Sequence, residues 1–132
     1  MHKYINSFVN FISKSKQIIE PTNAVIFEKS NSIFNIDFKN NTNYITILNS
    51  GIYIINLNAH FTNTCNLGLF INNLPDLSTI NYSKSGIINI YQIIKLIKND
   101  KLSIRNYDSF NSITTMDYNQ SNNINFNITQ IS

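Results

Sequence analysis

Tryptophan is absent from this 132-residue chain, cysteine occurs once, and only seven side chains are acidic. A lone Cys65 excludes an internal disulfide, a zinc site built on several cysteines and a CxxC redox centre within one chain. The acids, Glu20, Glu28, Asp37, Asp76, Asp100, Asp108 and Asp117, are scattered, and the histidines are His2 and His60. No apolar run reaches the roughly 18–20 residues that span a bilayer. The opening MHKYINSFVNFISKSK carries Asn6 and Asn10 where a signal peptide would keep an unbroken apolar centre. The expectation is a soluble chain with no transmembrane segment, exported if at all without a recognisable signal peptide.

What is abundant is asparagine and isoleucine, together roughly two residues in five, a residue choice that fits an AT-rich coding sequence. Asparagine content alone therefore carries no functional meaning. Net charge is +3 with pI ≈ 9.0, but the ten Lys and Arg residues form no stripe, which speaks against nucleic acid as a partner. The length suits a single domain with one buried core.

Two periods divide the chain. From Tyr4 to Ile19 the apolar residues Ile5, Phe8, Val9, Ile12, Ile18 and Ile19 fall mostly at helical spacing, and Pro21 ends the run. This predicts a short amphipathic helix or anchor segment in residues 1–21. Its apolar stripe of Phe8, Phe11 and Ile12 is a candidate for anchoring a partner assembly protein, or for folding back onto the rest of the chain. After Pro21 come short β-branched or aromatic stretches punctuated by polar residues. They are residues 24–27, 32–38, 44–48, 51–61, 67–72, 77–82, 86–97, 101–107 and 124–131. Asn-Asn, Asn-Ser-Gly, Asn-Asp and Leu-Pro-Asp supply the turns. Such spacing predicts an all-β, antiparallel two-sheet jelly-roll sandwich over residues 22–132. In residues 51–61, Tyr53, Ile55, Leu57, Ala59 and Phe61 share one face and belong to the core, while Ile52, Ile54, Asn56, Asn58 and His60 share the other.

Catalytic and metal chemistry find no support. Cys65 lies in the predicted turn NTCN, with His60 the nearest candidate base and no orienting group, and reads as a spare thiol. Asp76, Asp100 and Asp108 read as turn caps rather than as a calcium loop. Sequons at Asn40, Asn81, Asn119 and Asn127 are as frequent as chance predicts in so Asn-rich a chain. Lys95, Lys98 and Lys101 read as the solvated end of a hairpin. No enzyme activity and no cofactor are expected.

Several stretches together carry a family resemblance. AVIFEKSN (24–31) resembles an opening strand and turn, and NSGIYIINLNAHF (49–61) a G-x-Y-x-[FI] strand. LFINNLPDLSTI (69–80) resembles a strand, asparagine turn and return strand, LIKNDKLSIRN (96–106) an L-x-x-G-D-x-[LI]-S pair, and INFNITQIS (124–132) a last, central strand. In this order they resemble the jelly-roll heads of the C1q and tumour necrosis factor superfamily, and within it the bacterial exosporium BclA-type C-terminal domains. The sequence departs from the pattern at Asn99, where the family has glycine, at Ile55, where it has a second aromatic, and in having no Gly-x-y stalk before the head. Asparagine is the non-glycine residue best suited to a left-handed turn, so the first departure is mild.

The resemblance implies a homotrimer packed about a threefold axis. The axis-facing residues would be Ile54, Asn56, Asn58 and His60 on the long strand, Asn89, Tyr91 and Ile93 on the next, and Asn125, Asn127 and Thr129 on the last. Three copies of an amide can pair around such an axis, whereas the alternative is that these asparagines simply face solvent. The function implied is a non-enzymatic structural or adhesion head at the surface of a spore, cell or virion. The alternatives are a secreted trimeric receptor-binding ligand, with Tyr107, Phe110 and Tyr118 as candidate contacts, and a glycan-binding jelly-roll lectin.

Overall fold

A computed structural model describes residues 7–119 and 121–132. The strands in chain order are β1 (Phe8–Ser13), β2 (Ile18–Ile19), β3 (Lys29–Phe34), β4 (Ile36–Asp37), β5 (Ile45–Ile47), β6 (Gly51–His60) and β7 (Cys65–Ile71). They continue with β8 (Leu74–Pro75), β9 (Asn81–Ser83), β10 (Ile87–Leu96), β11 (Lys101–Asn106), β12 (Ile113–Thr114) and β13 (Ile124–Gln130), and a 3₁₀ turn spans Leu77–Thr79.

One sheet runs β10-β6-β13-β1-β3; the other runs β4-β5-β11-β7-β8, with β9 also on β7, and β12 and β2 form a small third pair. Every recorded pairing is antiparallel. The expected jelly-roll sandwich is therefore what the chain forms.

Alternation builds the core. Along β6 every second side chain from Tyr53 to Ala59 is buried, and Phe126 and Ile128 of β13 face the same interior. Across the gap stand Leu67 and Leu69 of β7, with Leu102 and Ile104 of β11. Phe11, Phe27 and Phe126 form an aromatic stack, with centroids 4.9 Å apart for Phe11–Phe27 and 5.6 Å for Phe27–Phe126. Phe38 meets Phe11 edge-on at 4.5 Å. Burying a side chain of this size contributes about 1.5–3 kcal/mol, so this layer dominates the stability of the sandwich.

Two expectations need correction. The predicted N-terminal helix is not formed: its described residues make strands at Phe8–Ser13 and Ile18–Ile19, joined by irregular chain, and Tyr4 to Asn6 lie outside the described residues. Strand β1 pairs with β13 from Phe8↔Thr129 to Ser13↔Ile124 and with β3 on its other side. The reason is pairing demand. Without β1, the apolar strand β13 would expose a row of backbone donors and acceptors. FVNFIS satisfies that edge because alternate residues Val9 and Phe11 can enter the core. The stretch at 24–27 is likewise not a strand but an extended strap. Val25 donates to Ile104 O and Phe27 to Thr42 O, so alternate residues serve different partners and no ladder forms.

Asparagine takes the turns. Positive φ angles occur at Asn35, Asn41, Asn72, Asn73, Asn99 and Asn119. Asn35 (φ 57°) splits the stretch expected at 32–38, sending β3 into one sheet and β4 into the other.

Candidate functional site

The outward face of the five-stranded sheet is built by strand register. Ile93, Ile54, Thr129, Phe8 and Phe34 lie in one cross-strand row. Tyr91, Asn56, Asn127, Asn10 and Ser32 form the next, followed by Asn89, Asn58, Asn125 and Ile12, and then by Ile87 beside His60. Directly paired residues of an antiparallel ladder share a face, so all ten residues that the resemblance assigned to the axis stand on one surface.

The surface has an apolar end and an amide middle. Tyr91 is 62% exposed, Ile93 56%, Phe34 41% and Phe8 40%, and the Phe8 and Phe34 rings stack at 5.8 Å. In the middle, Asn10 Nδ2 donates to both Asn125 Oδ1 and Asn127 Oδ1 at 2.6 Å. One amide thus bridges two neighbours and fixes their orientation, leaving their own Nδ2 groups to turn outward. The charged side chains of the face, Lys95 opposite Ile52 and Lys29 opposite Ile12, stand at diagonally opposite corners.

His60 sits at the far end, where Nδ1 meets Tyr118 Oη at 2.7 Å with the rings edge-on at 5.5 Å. The loop residue Tyr118, expected as a receptor contact, is therefore a neighbour of the face. Tyr107 and Phe110 lie on another loop, and Phe110 is 89% exposed.

The three anchoring candidates divide by strand parity. Phe11 points into the core, while Phe8 and Ile12 point outward and Ile12 is nonetheless covered, which leaves Phe8 open. Asn10 and Phe34 were missed as members of the face. Alternation of Phe8, Asn10 and Ile12 against Val9 and Phe11 is the signal that marks Asn10, once FVNFIS is read with a period of two.

The remaining candidates for chemistry are engaged elsewhere. Cys65 is buried, and desolvation pushes its thiol up to about 11. Asp76 accepts from Ser78 N and Oγ, and Asp100 from Ile97 N and Asn72 Nδ2. Backbone donors at Phe110 and Asn111, with the Asn111 amide, hold Asp108 below the usual carboxylate range. Among the described residues no three His, Cys, Asp or Glu side chains gather as metal ligands, and no helix is long and apolar enough to cross a membrane.

No protein-family model and no curated protein matches the chain. Solved structures do. The globular domain of zebrafish complement 1qA protein is 14% identical, covers 95% of each chain and superposes with a TM-score of 0.64. Eiger TNF from S. frugiperda is 8% identical over 97% of this chain and 92% of its own, at 0.62. Pika GITRL is 16% identical over 96% of each chain, at 0.57. The fold is that of the C1q and TNF jelly rolls.

Proposed function

We propose that the chain is a non-enzymatic, homotrimeric head domain whose subunits meet through the outward face of the five-stranded sheet. The observation that carries this reading is the face itself. A lone subunit would leave Phe8, Phe34, Tyr91 and Ile93 in water beside a belt of asparagines already held in one orientation by Asn10. Apolar surface favours burial at about 25 cal/mol per Å², and amides carry both donors and acceptors to satisfy one another across a symmetry axis. The ten axis-facing residues of the resemblance supply most of this surface.

Such a head acts by assembly and adhesion at the surface of a spore, cell or virion. The motif order that resembles exosporium BclA-type domains supports the spore as its setting. A second reading, a secreted receptor-binding ligand, is favoured by Phe110, which projects from its loop with no role in the core.

Sedimentation analysis of the full chain tests the proposal: the mass should be three times 15.2 kDa. Ile93→Asp should give a folded monomer with an unchanged circular dichroism spectrum. A monomeric parent chain would overturn the reading, as would a trimer indifferent to Ile93→Asp.

A further inference from the structure

Strand β11 changes neighbours part-way along its length. Lys101 and Leu102 pair with Thr46 and Ile45 of β5. Farther on, β5 has left and the strap takes its place: Val25 donates to Ile104 O at 2.8 Å, Thr22 to Asn106 O at 3.1 Å, and Ala24 bridges to Arg105. Where β5 and the strap part, the outer face of this second sheet opens into a cleft. Two cavities of about 540 Å³ and 250 Å³ adjoin there, with Asn43 and Arg105 lining both.

Its cations are fixed in place but not neutralised. Arg105 Nε donates to Ser103 Oγ at 3.1 Å, its Nη2 donates to Asn73 Oδ1, and its guanidinium lies 5.1 Å from the centroid of Phe70. None of these partners is a carboxylate. Lys101 Nζ lies 5.1 Å from the centroid of the Tyr44 ring at the rim. Residues 101, 103 and 105 alternate outward from β11, which places both charges on the same side of the strand. Among the described residues, the one carboxylate that lines these cavities is Glu20, in the larger one.

We propose that this cleft binds an acidic oligosaccharide, with its carboxylate held by Arg105 and Lys101 and its hydroxyls by the amides of Asn43 and Asn73. A guanidinium fork matches a carboxylate in two parallel hydrogen bonds, and its orientation here is already set by Ser103, Asn73 and Phe70. Carboxamides donate and accept, as sugar hydroxyls do. Protein partners instead anchor aromatic or aliphatic side chains in closed, desolvated pockets, which an open, amide-lined groove does not offer. Glu20 gives the groove polarity: the anion belongs at the Lys101 end, while a carboxylate at the other end accepts from hydroxyls and repels a second negative group. One charge per ligand is therefore preferred over a polyanion. Because the cleft lies on the sheet opposite the amide face, it stands whether or not that face makes a trimer.

The test is titration of the full chain, followed by NMR and calorimetry, with sialyllactose, lactose, a heparin hexasaccharide and a hexaglutamate peptide. Sialyllactose should shift the signals of Asn43, Asn73 and Arg105 and bind about tenfold more tightly than lactose, the increment a charge-assisted bidentate contact gives. Arg105→Gln should lose about that factor and Lys101→Gln a smaller one, each with the parent's circular dichroism spectrum. Glu20→Gln should improve heparin binding more than it changes sialyllactose binding. Should Arg105→Gln lose its fold, Lys101→Gln and Asn43→Ala decide the matter. Equal binding of lactose and sialyllactose, shifts outside the cleft, or indifference to both cation substitutions would overturn the proposal. Preference for hexaglutamate would reassign the cleft to acidic peptides and overturn the saccharide assignment.

Discussion

Phe11→Ala separates a core strand from an attached helix at the N-terminus, because the two arrangements assign very different costs to one side chain. In β1 the Phe11 ring is fully buried, stacked 4.9 Å from Phe27, edge-on to Phe38 at 4.5 Å and 6.2 Å from Phe126. Truncating a buried phenylalanine costs about 3–5 kcal/mol, and each lost aromatic pair about 0.5–1.5 kcal/mol beyond its area. The cost falls at the upper end of that range, because three rings lose a partner at once. Set against a total of about 5–15 kcal/mol for a domain, it removes a third or more of the stability. At roughly 4 °C per kcal/mol for a domain of this size, Tm should fall by about 15–20 °C. Phe8→Ala is the internal control. Two-fifths exposed and touching Phe34 at the surface, Phe8 should cost an isolated subunit about 1 kcal/mol or less. Thermal and urea unfolding at high dilution, followed by circular dichroism, measures both variants. A Phe11→Ala protein melting within about 3 °C of the parent, or one more stable than Phe8→Ala, would refute the placement of β1 in the core.

Cys65 should resist thiol reagents at pH 8 in the folded chain, since its thiol is buried and raised to about 11, and should react fully in denaturant; rapid labelling of native protein would contradict this burial. Gly86→Ala should be severely destabilising, because a Cβ at φ +87° would sit 2.3 Å from Phe61 O and 2.7 Å from Asn63 O, and an unchanged urea midpoint would show that the turn can move. Asp108 has a folded pKa below its ordinary 3.8, so the stability it contributes is present above that value and is lost as pH falls through the lower folded pKa. The Phe110 and Asn111 amide signals should follow that titration with a midpoint under 3.8, and Asp108→Asn should abolish it; a midpoint at or above 3.8 would remove the assigned hydrogen bonds.

The long strands were legible because their alternation is long. Across β6, β10 and β13, period-two patterning separates core residues from outward ones, and the family resemblance assigned ten of the outward ones to an axis. Short stretches were not legible. FVNFIS places Phe8, Val9 and Ile12 at spacings that serve a helix as well as a strand, and what decides between them is the unpaired edge of β13, more than a hundred residues away. Residues 24–27 carry strand-forming side chains, yet their backbone divides between Ile104 and Thr42. The cleft around Arg105 escapes the sequence for the same kind of reason. Asn43, Asn73 and Arg105 converge only because β5 and the strap separate there.

The asparagines in left-handed turns carry a consequence at the level of codons. Two A-to-G changes turn an asparagine codon into a glycine codon, so a genome drifting toward A and T pushes turn positions from glycine to asparagine. Asn35, Asn41, Asn72, Asn73, Asn99 and Asn119 sit at φ angles that asparagine tolerates far better than other side chains. The sandwich can thus absorb nucleotide drift at its corners while the ladders between them keep their register. Where close backbone approach forbids any Cβ, as at Gly86, that drift has a hard stop.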